Sequence, residues 1–293
     1  HGGTPRSPET ARSLCLASQD LCASASPFGS LKVAIKHISS PDNPLFRLIR
    51  RLNASPTAYR QEGKIWLEGE HLCQSCLDGA AKVHLVVVSQ SAWEDPAQRS
   101  LWEPVQEVVI VPDAQFARIS ALPSPAGVGL LIEAASTVAV DPVERTVVLD
   151  GVQDAGNVGS ILRSAAALGV QQVVALPGTA GLWSPKVTRA GMGAHFGLRL
   201  VEVHSPDSLS TLKWPLVATS SHATMDIWDE DLPIPCNWLF GHEGRGVSQV
   251  CQDLCHATVR IPQPGGQESL NVAAAAAVCL YESLRRSRDL HLQ

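Results

Sequence analysis

Short runs of β-branched and apolar residues, separated by stretches with helical spacing, recur along most of the chain and restrict its fold more than any other feature. Val83–Ser89, Val108–Val111, Thr146–Leu149, Gln172–Leu176, Leu216–Thr219, Trp238–Phe240 and Thr258–Ile261 are such runs. Apolar runs without alternation suit strands buried on both faces, as in a parallel sheet covered by helices. Lys64–Leu67, Gly127–Glu133 and Gly197–Val203 also read as strands. Between them, Leu45, Leu48, Ile49 and Leu52 fall at helical spacing, and residues 70–78, 113–119, 156–168, 184–190 and 270–286 read as helices. The expectation is an α/β protein. With 293 residues, two domains are the natural division. The boundaries read as a tail over residues 1–36, rich in Ser, Ala, Pro and Thr; a small α/β domain over 37–136; a linker over 137–144, broken at Asp141-Pro142; and a parallel-sheet domain over 145–293.

Composition narrows the class. Apolar residues make up 45% and charged residues 17%, enough for an ordinary globular core. The most apolar stretch, residues 270–281, is shorter than the roughly 18 residues that suggest a membrane span, so no membrane role is expected. The net charge of −5 is unevenly spread: Lys32 to Lys64 carries +5 and the remainder −10. A basic end on an acidic chain fits a polyanionic partner, with Arg47, Arg50 and Arg51 as contacts; a solvated helix face is the alternative. Cys73 and Cys76 have zinc-like spacing, but no second pair follows at finger distance, and on a helix they simply share a face. Cys251 and Cys255 read the same way. Reduced, buried thiols, no metal and a cytoplasmic setting are expected.

Three loops carry chemistry, each at the carboxyl end of a strand, where ligands of parallel α/β sheets sit. The first, Leu149–Arg163, opens a helix with Gly156 and Gly159. It matches neither a Walker loop nor the dinucleotide fingerprint, which argues against a nicotinamide oxidoreductase. Asn157 reads as a cap or as a ligand group. Arg163 lies a turn and a half into the helix, where a buried position would need a partner such as a phosphate. The second, Phe240–Ser248, has Gly241, Gly244 and Gly246 to bring backbone amides near a ligand, with Glu243 among them. The third, Ile261–Val272, reads IPQPGGQESLNV, and its Pro and Gly residues exclude regular structure before a long Ala-rich helix. Ser269 and Asn271 there read as caps when taken singly.

Taken in order, these loops resemble the SPOUT superfamily and, within it, the TrmH/SpoU family of RNA ribose 2′-O-methyltransferases. The likeness rests on Asn157, Gly159 and Arg163; on Gly241, Glu243, Gly244 and Gly246; on Ile261, Pro262, Glu268, Ser269, Leu270, Asn271 and Val272; and on Ser184–Val187 with Met192–Ala194 between. It is strong over about 145–287 and weak over 37–135, a segment similar to the family's small substrate-binding domain, related to kink-turn-binding ribosomal proteins. The resemblance implies a parallel sheet with a trefoil knot, a homodimer with Leu270–Arg286 in its interface, and tRNA or rRNA as partner. It implies S-adenosylmethionine as cofactor, held by Gly241, Ile261 and Leu270 with Phe240 and Gly246. It implies Arg163 as the central catalytic group, with Asn157, Glu243, Ser269 and Asn271 around it, and Lys186 joins the RNA contacts. A guanidinium is effectively never deprotonated, so Arg163 is expected to clamp the target's phosphate and hydroxyl. Two positions depart from the family pattern: Ala155, where Pro is frequent, and His242, which adds a titratable group beside the cofactor loop. A non-catalytic RNA-binding or ribosome-assembly protein of the same fold is the rival reading, and the presence of Asn157, Arg163, Glu243 and Asn271 argues against it.

Overall fold

The computed structural model describes residues 34–79, 83–102, 105–134, 138–266 and 268–290. The first part runs β1 (Ala34–His37), α1 (Pro44–Ala54), α2 (Ala58–Glu62), β2 (Lys64–Glu68), α3 (Glu70–Asp78), β3 (Val83–Ser89), α4 (Gln90–Glu94), α5 (Pro96–Trp102), β4 (Glu107–Val111), α6 (Asp113–Ile119) and β5 (Val128–Glu133). The second runs β6 (Thr146–Asp150), α7 (Ala155–Ala167), β7 (Gln172–Ala175), α8 (Pro185–Gly191), β8 (Arg199–Glu202), β9 (Leu216–Thr219), β10 (Met225–Asp226), β11 (Asn237–Gly241), α9 (Gln249–Gln252), β12 (Ala257–Arg260) and α10 (Val272–Leu290).

The small domain is a five-stranded sheet of order β1-β4-β3-β5-β2. It is mixed: β1 and β3 pair with β4 in parallel, while β5 runs antiparallel to both β3 and β2. The sheet takes in Ala34–His37, so it begins three residues before the boundary read from the sequence; the rest of the expected tail, with Cys15 and Cys22, lies outside the described residues. β1 was hidden because its residues are exposed and carry Lys36, which pairs with Glu107 at 2.6 Å, instead of an apolar run. α1 starts where the Ser39–Pro44 cluster suggests. Asn43 accepts from the Leu45 amide at 2.9 Å and Pro44 fills the first turn, while Phe46, Ile49 and Leu52 are buried.

The second domain is a seven-stranded sheet, β10-β12-β9-β11-β6-β7-β8, parallel at every pairing. α7, α8 and α10 gather on one face, where Val158, Ile161, Leu162, Val187, Ala276, Cys279 and Leu280 are buried. The approach of α7 to α8 requires a glycine: a Cβ on Gly159 would lie 2.4 Å from the Ala190 Cβ. The expected linker is bonded to the sheet. Gln172 donates to the Asp141 carbonyl at 3.0 Å and accepts from its amide at 2.8 Å, and Asn237 accepts from the Thr146 amide at 2.9 Å. Gln172 and Asn237 are fully buried, so these bonds also satisfy groups that would be costly if left unpaired.

On α10, Glu282 pairs with Arg285 at 2.8 Å, and the Arg286 guanidinium donates to the Asp229 and Glu230 carbonyls at 2.9 and 3.0 Å. Two local expectations are corrected. Cys255 lies beyond the short α9, so it does not share a helix with Cys251. The last helix starts at Val272, after its cap, instead of at Leu270. Cys73, Cys76, Cys236, Cys251 and Cys279 are buried free thiols, and Cys255 is a half-buried one. No helix among the described residues is long and apolar enough to cross a membrane.

His195, buried against Trp183, has one ring nitrogen, Nε2, 2.9 Å from the Leu182 carbonyl and the other, Nδ1, without a partner among the described residues. Bonding to a carbonyl puts the proton on Nε2. Burial pushes its pKa down to about 4, against the opposing pull of the Leu182 carbonyl. The unfolded chain therefore takes up this proton first as pH falls below the ordinary value of about 6.5. The stability held by neutral His195 is complete above that value and is lost on the way down to about 4, by an amount on the order of 3 kcal/mol. Urea unfolding between those limits should show this acid-side slope in the native protein and a flatter one in His195→Leu.

Candidate active site

The three loops singled out in the sequence leave the carboxyl ends of β6, β11 and β12, on one edge of the parallel sheet. β6 and β11 are neighbours; β9 stands between β11 and β12. Parallel pairing brings the loop mouths together, and hydrogen bonds between them complete the arrangement.

After β6 the chain turns at Gly151 (φ +72°), whose amide donates to Thr179 Oγ1 at 3.0 Å; that hydroxyl donates to the Leu149 carbonyl at 2.9 Å. Asp154 caps α7, accepting from the Asn157 amide at 2.8 Å. The cap is therefore Asp154, and the Asn157 side chain is available for other work. After β11 the chain doubles back: the His242 amide donates to the Gly246 carbonyl at 3.0 Å, and the Gly246 amide returns a bond at 2.8 Å. Gly241 faces this closure at such short range that a Cβ would lie 2.3 Å from the Gly246 carbonyl carbon. His242 Nδ1 accepts from the Gly244 and Arg245 amides at 2.9 and 3.3 Å, so it braces the loop from inside. An Asn side chain at this position makes the same kind of turn-stabilising bond, so the departure from the family pattern preserves an acceptor.

Glu243 joins the first two loops. Its carboxylate accepts from the Gln153 amide at 3.2 Å, the Asp154 amide at 3.1 Å and Asn157 Nδ2 at 3.1 Å. Burial works against its charge, but bonds from its own amide, Asn157, Asp154 and Gln153 outweigh that effect and hold the carboxyl below its ordinary value. A carboxylate only accepts, so the Asn157 nitrogen must face Glu243 and its oxygen must face away. That oxygen accepts from Asn271 Nδ2 at 2.9 Å, which brings in the third loop. The Asn271 oxygen in turn accepts from the Ala273 and Ala274 amides at 2.9 and 3.3 Å and caps α10. Asn271 is thus both a cap and a link in the chain of side chains.

The remaining expected residues divide by position. Phe240 and Gly241 are buried at the end of β11, Ile261 is half-buried and Leu270 is exposed at the mouth of α10. Arg163 lies on an exposed face of α7, not a buried one, and among the described residues no carboxylate holds it. Its partner is therefore not needed for folding. Ser269 is exposed, without a side-chain hydrogen bond among the described residues. Lys186 is exposed in the first turn of α8. Of the basic residues on α1, Arg51 pairs with Glu62 at 2.7 Å and Arg50 donates to the Pro41 and Phe46 carbonyls at 3.2 and 3.3 Å, which leaves Arg47 the freest.

Three supporting residues were not singled out in the sequence. Asp150 accepts from the Ser248 amide at 2.7 Å and ties the far end of the second loop to β6. Thr179 props the first loop from a different segment. Gln263, in the third loop, has a buried Oε1 without a partner among the described residues. A carboxylate just past a buried apolar run was a readable signal for Asp150; Thr179 had none, since its partners are about 30 residues away, and the burial of the Gln263 oxygen is not readable from its neighbours.

The profile of the SpoU rRNA methylase family matches residues 144–281. A Synechocystis protein described as an uncharacterised tRNA/rRNA methyltransferase is 32% identical over 267 residues, spanning 86% of this chain and 94% of its own. The chain belongs to the SpoU methylase family. A 23S rRNA (uridine(2479)-2′-O)-methyltransferase of Streptomyces viridochromogenes is 36% identical over 48% of this chain and 52% of its own length. The chain thus spans about half the length of that relative. The crystal structure of the SpoU methyltransferase AviRb from the same organism, in complex with AdoMet, superposes with a TM-score of 0.76 at 26% identity, covering 84% of this chain and 98% of that one. Among SpoU members, then, this chain shares both the methylase region and, with the Synechocystis relative and AviRb, most of the remainder.

The brace made by His242 can be tested directly. His242→Ala should weaken S-adenosylmethionine binding about tenfold, or roughly 1.4 kcal/mol, the scale of one net hydrogen bond. His242→Asn, which restores an acceptor, should stay within about threefold of the native protein by calorimetry.

Proposed function

We propose that this chain transfers a methyl group from S-adenosylmethionine to a ribose 2′-hydroxyl of tRNA or rRNA. The observation that carries the reading is the chain of bonds Asn271–Asn157–Glu243, which draws three loops from three strands into one cluster. Support also comes from relatives whose names give 23S rRNA 2′-O-methylation and from AdoMet in the AviRb structure.

The residues fit the cofactor. Phe240, Gly241 and Gly246 offer backbone groups, with Gly241 too close to the loop's own closure for a Cβ and Gly246 at φ +68°, Ile261 and Leu270 offer apolar surface for a base, and Gln263 offers an acceptor that nothing in the described fold uses. S-adenosylmethionine, when bound, supplies the electrophilic methyl and a neutral thioether leaving group. Arg163 clamps the target's phosphate and hydroxyl beside it, and its free guanidinium suits that task. Ser269 and the Asn157–Asn271 pair orient the hydroxyl. Glu243 acts as a scaffold: with its carboxyl held low and its oxygens engaged, it is a weak proton acceptor.

The finer features of the family reading are part of the same proposal. Residues 37–136, with Ala34–Lys36 added, form the RNA-binding domain, resembling kink-turn-binding ribosomal proteins, and Arg47, Arg50, Arg51 and Lys186 contact RNA. Residues 137–144 link it to the methyltransferase domain, 145–293. The C-terminal part is threaded as a trefoil knot: from β12, outside β9, the chain turns back to lay α10 on α7 and close the third loop over the first. The protein is a homodimer in the cytoplasm. The dimer is supported by Val278 and Tyr281, 42% and 62% exposed at i, i+3 on α10, and by Leu270, 41% exposed just before that helix, and the cytoplasmic setting by the free thiols.

Two measurements test this. Arg163→Ala should lower labelled-methyl transfer to RNA by roughly 100-fold or more, while calorimetric cofactor affinity stays within about twofold; full activity in the variant would remove Arg163 from the site. Val278→Glu with Tyr281→Glu should convert a dimer to a monomer in sedimentation, since the like charges would face each other across the interface. A native protein that sediments as a monomer would refute the dimer.

A further inference from the structure

The two sheets meet at a carboxylate that the proposed chemistry does not use. Glu202 ends β8, at the edge of the parallel sheet, and its side chain is 25% exposed. One oxygen accepts from the Leu182 amide at 2.7 Å and from the Tyr59 hydroxyl; the other accepts from Arg60 Nε at 2.8 Å. Tyr59 and Arg60 belong to α2 of the small domain, and Leu182 to the loop that leads into α8. Tyr59 is 5% exposed, and burial together with Glu202 pushes its phenol upward, so it stays a donor. Arg60 also lies over the Tyr59 ring, 5.4 Å from its centroid.

The surfaces around this carboxylate are in backbone-close contact. A Cβ on Gly181 would lie 2.7 Å from the Tyr59 hydroxyl, one on Gly193 would lie 2.7 Å from the Ser75 side chain, and one on Gly79 would lie 3.0 Å from the Phe196 Cβ. Trp183 packs against the cores of both domains. Such an interface fixes an angle, which a flexible tether would not. The fixed angle continues toward the loop cluster. Leu182 is held on its other side by His195. Two residues later Ser184 caps α8, and α8 lies against Gly159 of α7, the helix that carries Asn157 and Arg163.

We infer that Glu202 is a positioning residue that sets the small domain at one angle to the loop cluster, and that the substrate is accordingly a folded RNA recognised as a rigid shape, not a flexible single strand. This rests on the proposed RNA methyltransferase function. Two domains at a fixed separation match a partner whose own phosphates are fixed in space; a single strand gains nothing from that separation, because it adapts to any.

The test compares two RNAs that carry the same target nucleotide, mapped first on bulk cellular RNA: the folded transcript and a short single-stranded fragment of it. The native enzyme should prefer the folded transcript by about 100-fold in kcat/KM. Glu202→Ala should raise KM for the folded transcript about tenfold, with kcat and the KM of the fragment within about twofold of native. Glu202→Gln, which keeps acceptors for Leu182 and Tyr59 but loses the charge that pairs with Arg60, should fall between, as should Tyr59→Phe. Independently of activity, Glu202→Ala should speed exchange of the Leu182 amide about tenfold and broaden the solution-scattering profile of the full chain. Equal use of both RNAs by the native enzyme, or equal losses on both RNAs in Glu202→Ala, overturns the folded-substrate inference. Unchanged Leu182 exchange and scattering overturn the clamp. A native protein that methylates neither RNA counts against the methyltransferase reading alone, and the exchange and scattering comparison then decides the clamp by itself.

Discussion

The loop cluster depends on one carboxylate. Glu243 sits on the loop after β11 but bonds to the loop after β6, and through Asn157 it reaches the loop after β12. Each bond to an ionised group contributes about 1.5–3 kcal/mol, and losing the acceptor would leave amides without partners. The three loops lie 86 to 114 residues apart in sequence at their points of contact. Their alignment is therefore set by side-chain chemistry as well as by the sheet beneath. The direction of the chain of bonds is fixed at its charged end. Because a carboxylate cannot donate, each amide in turn has only one orientation that satisfies its neighbour.

Around this scaffold the structure separates what holds from what acts. Asp150, Asp154, Glu243 and His242 spend their lone pairs on backbone amides, so they define shape. Arg163, Lys186 and Ser269 are exposed and without a carboxylate partner among the described residues. Elsewhere several cations are paired: Lys36 with Glu107, Arg51 with Glu62, Arg199 with Glu144 and Arg260 with Asp226. An exposed pair of this kind is worth little to stability. The proposed methyl transfer would draw its geometry from this preorganised polar frame and its attraction for RNA from the unpaired cations.

The small domain is joined to this frame by more than its linker. Asp141 is bonded to Gln172 on β7, and Tyr59 and Arg60 converge on Glu202 at the end of β8. Both attachments fall on the same half of the parallel sheet, away from the β9–β12 half on which the third loop is built. Between the domain contacts and the loop cluster lie α7 and α8, which pack together at Gly159.

Much of this was legible in the residues. Apolar runs such as Thr146–Leu149 and Trp238–Phe240 announce buried strands because burial on both faces leaves no room for alternation, and Pro and Gly in Ile261–Val272 announce a rigid loop. The identity of the three loops, with Asn157, Glu243 and Asn271 among them, was also readable. Their roles were not. Whether Asn157 caps a helix or bridges two loops depends on Glu243, 86 residues away, and on Asp154 taking the cap. The burial of Arg163 depends on what packs over α7, and β1 could not be seen because pairing with β4, not its own exposed residues, makes it a strand. The tertiary structure likewise assigned Glu202 to Tyr59 and Arg60, 143 and 142 residues apart. Local sequence determines secondary structure and loop stiffness because those depend on neighbouring torsions and on burial patterns of short period. Which acceptor meets which donor is decided only when the sheet brings distant strand ends together.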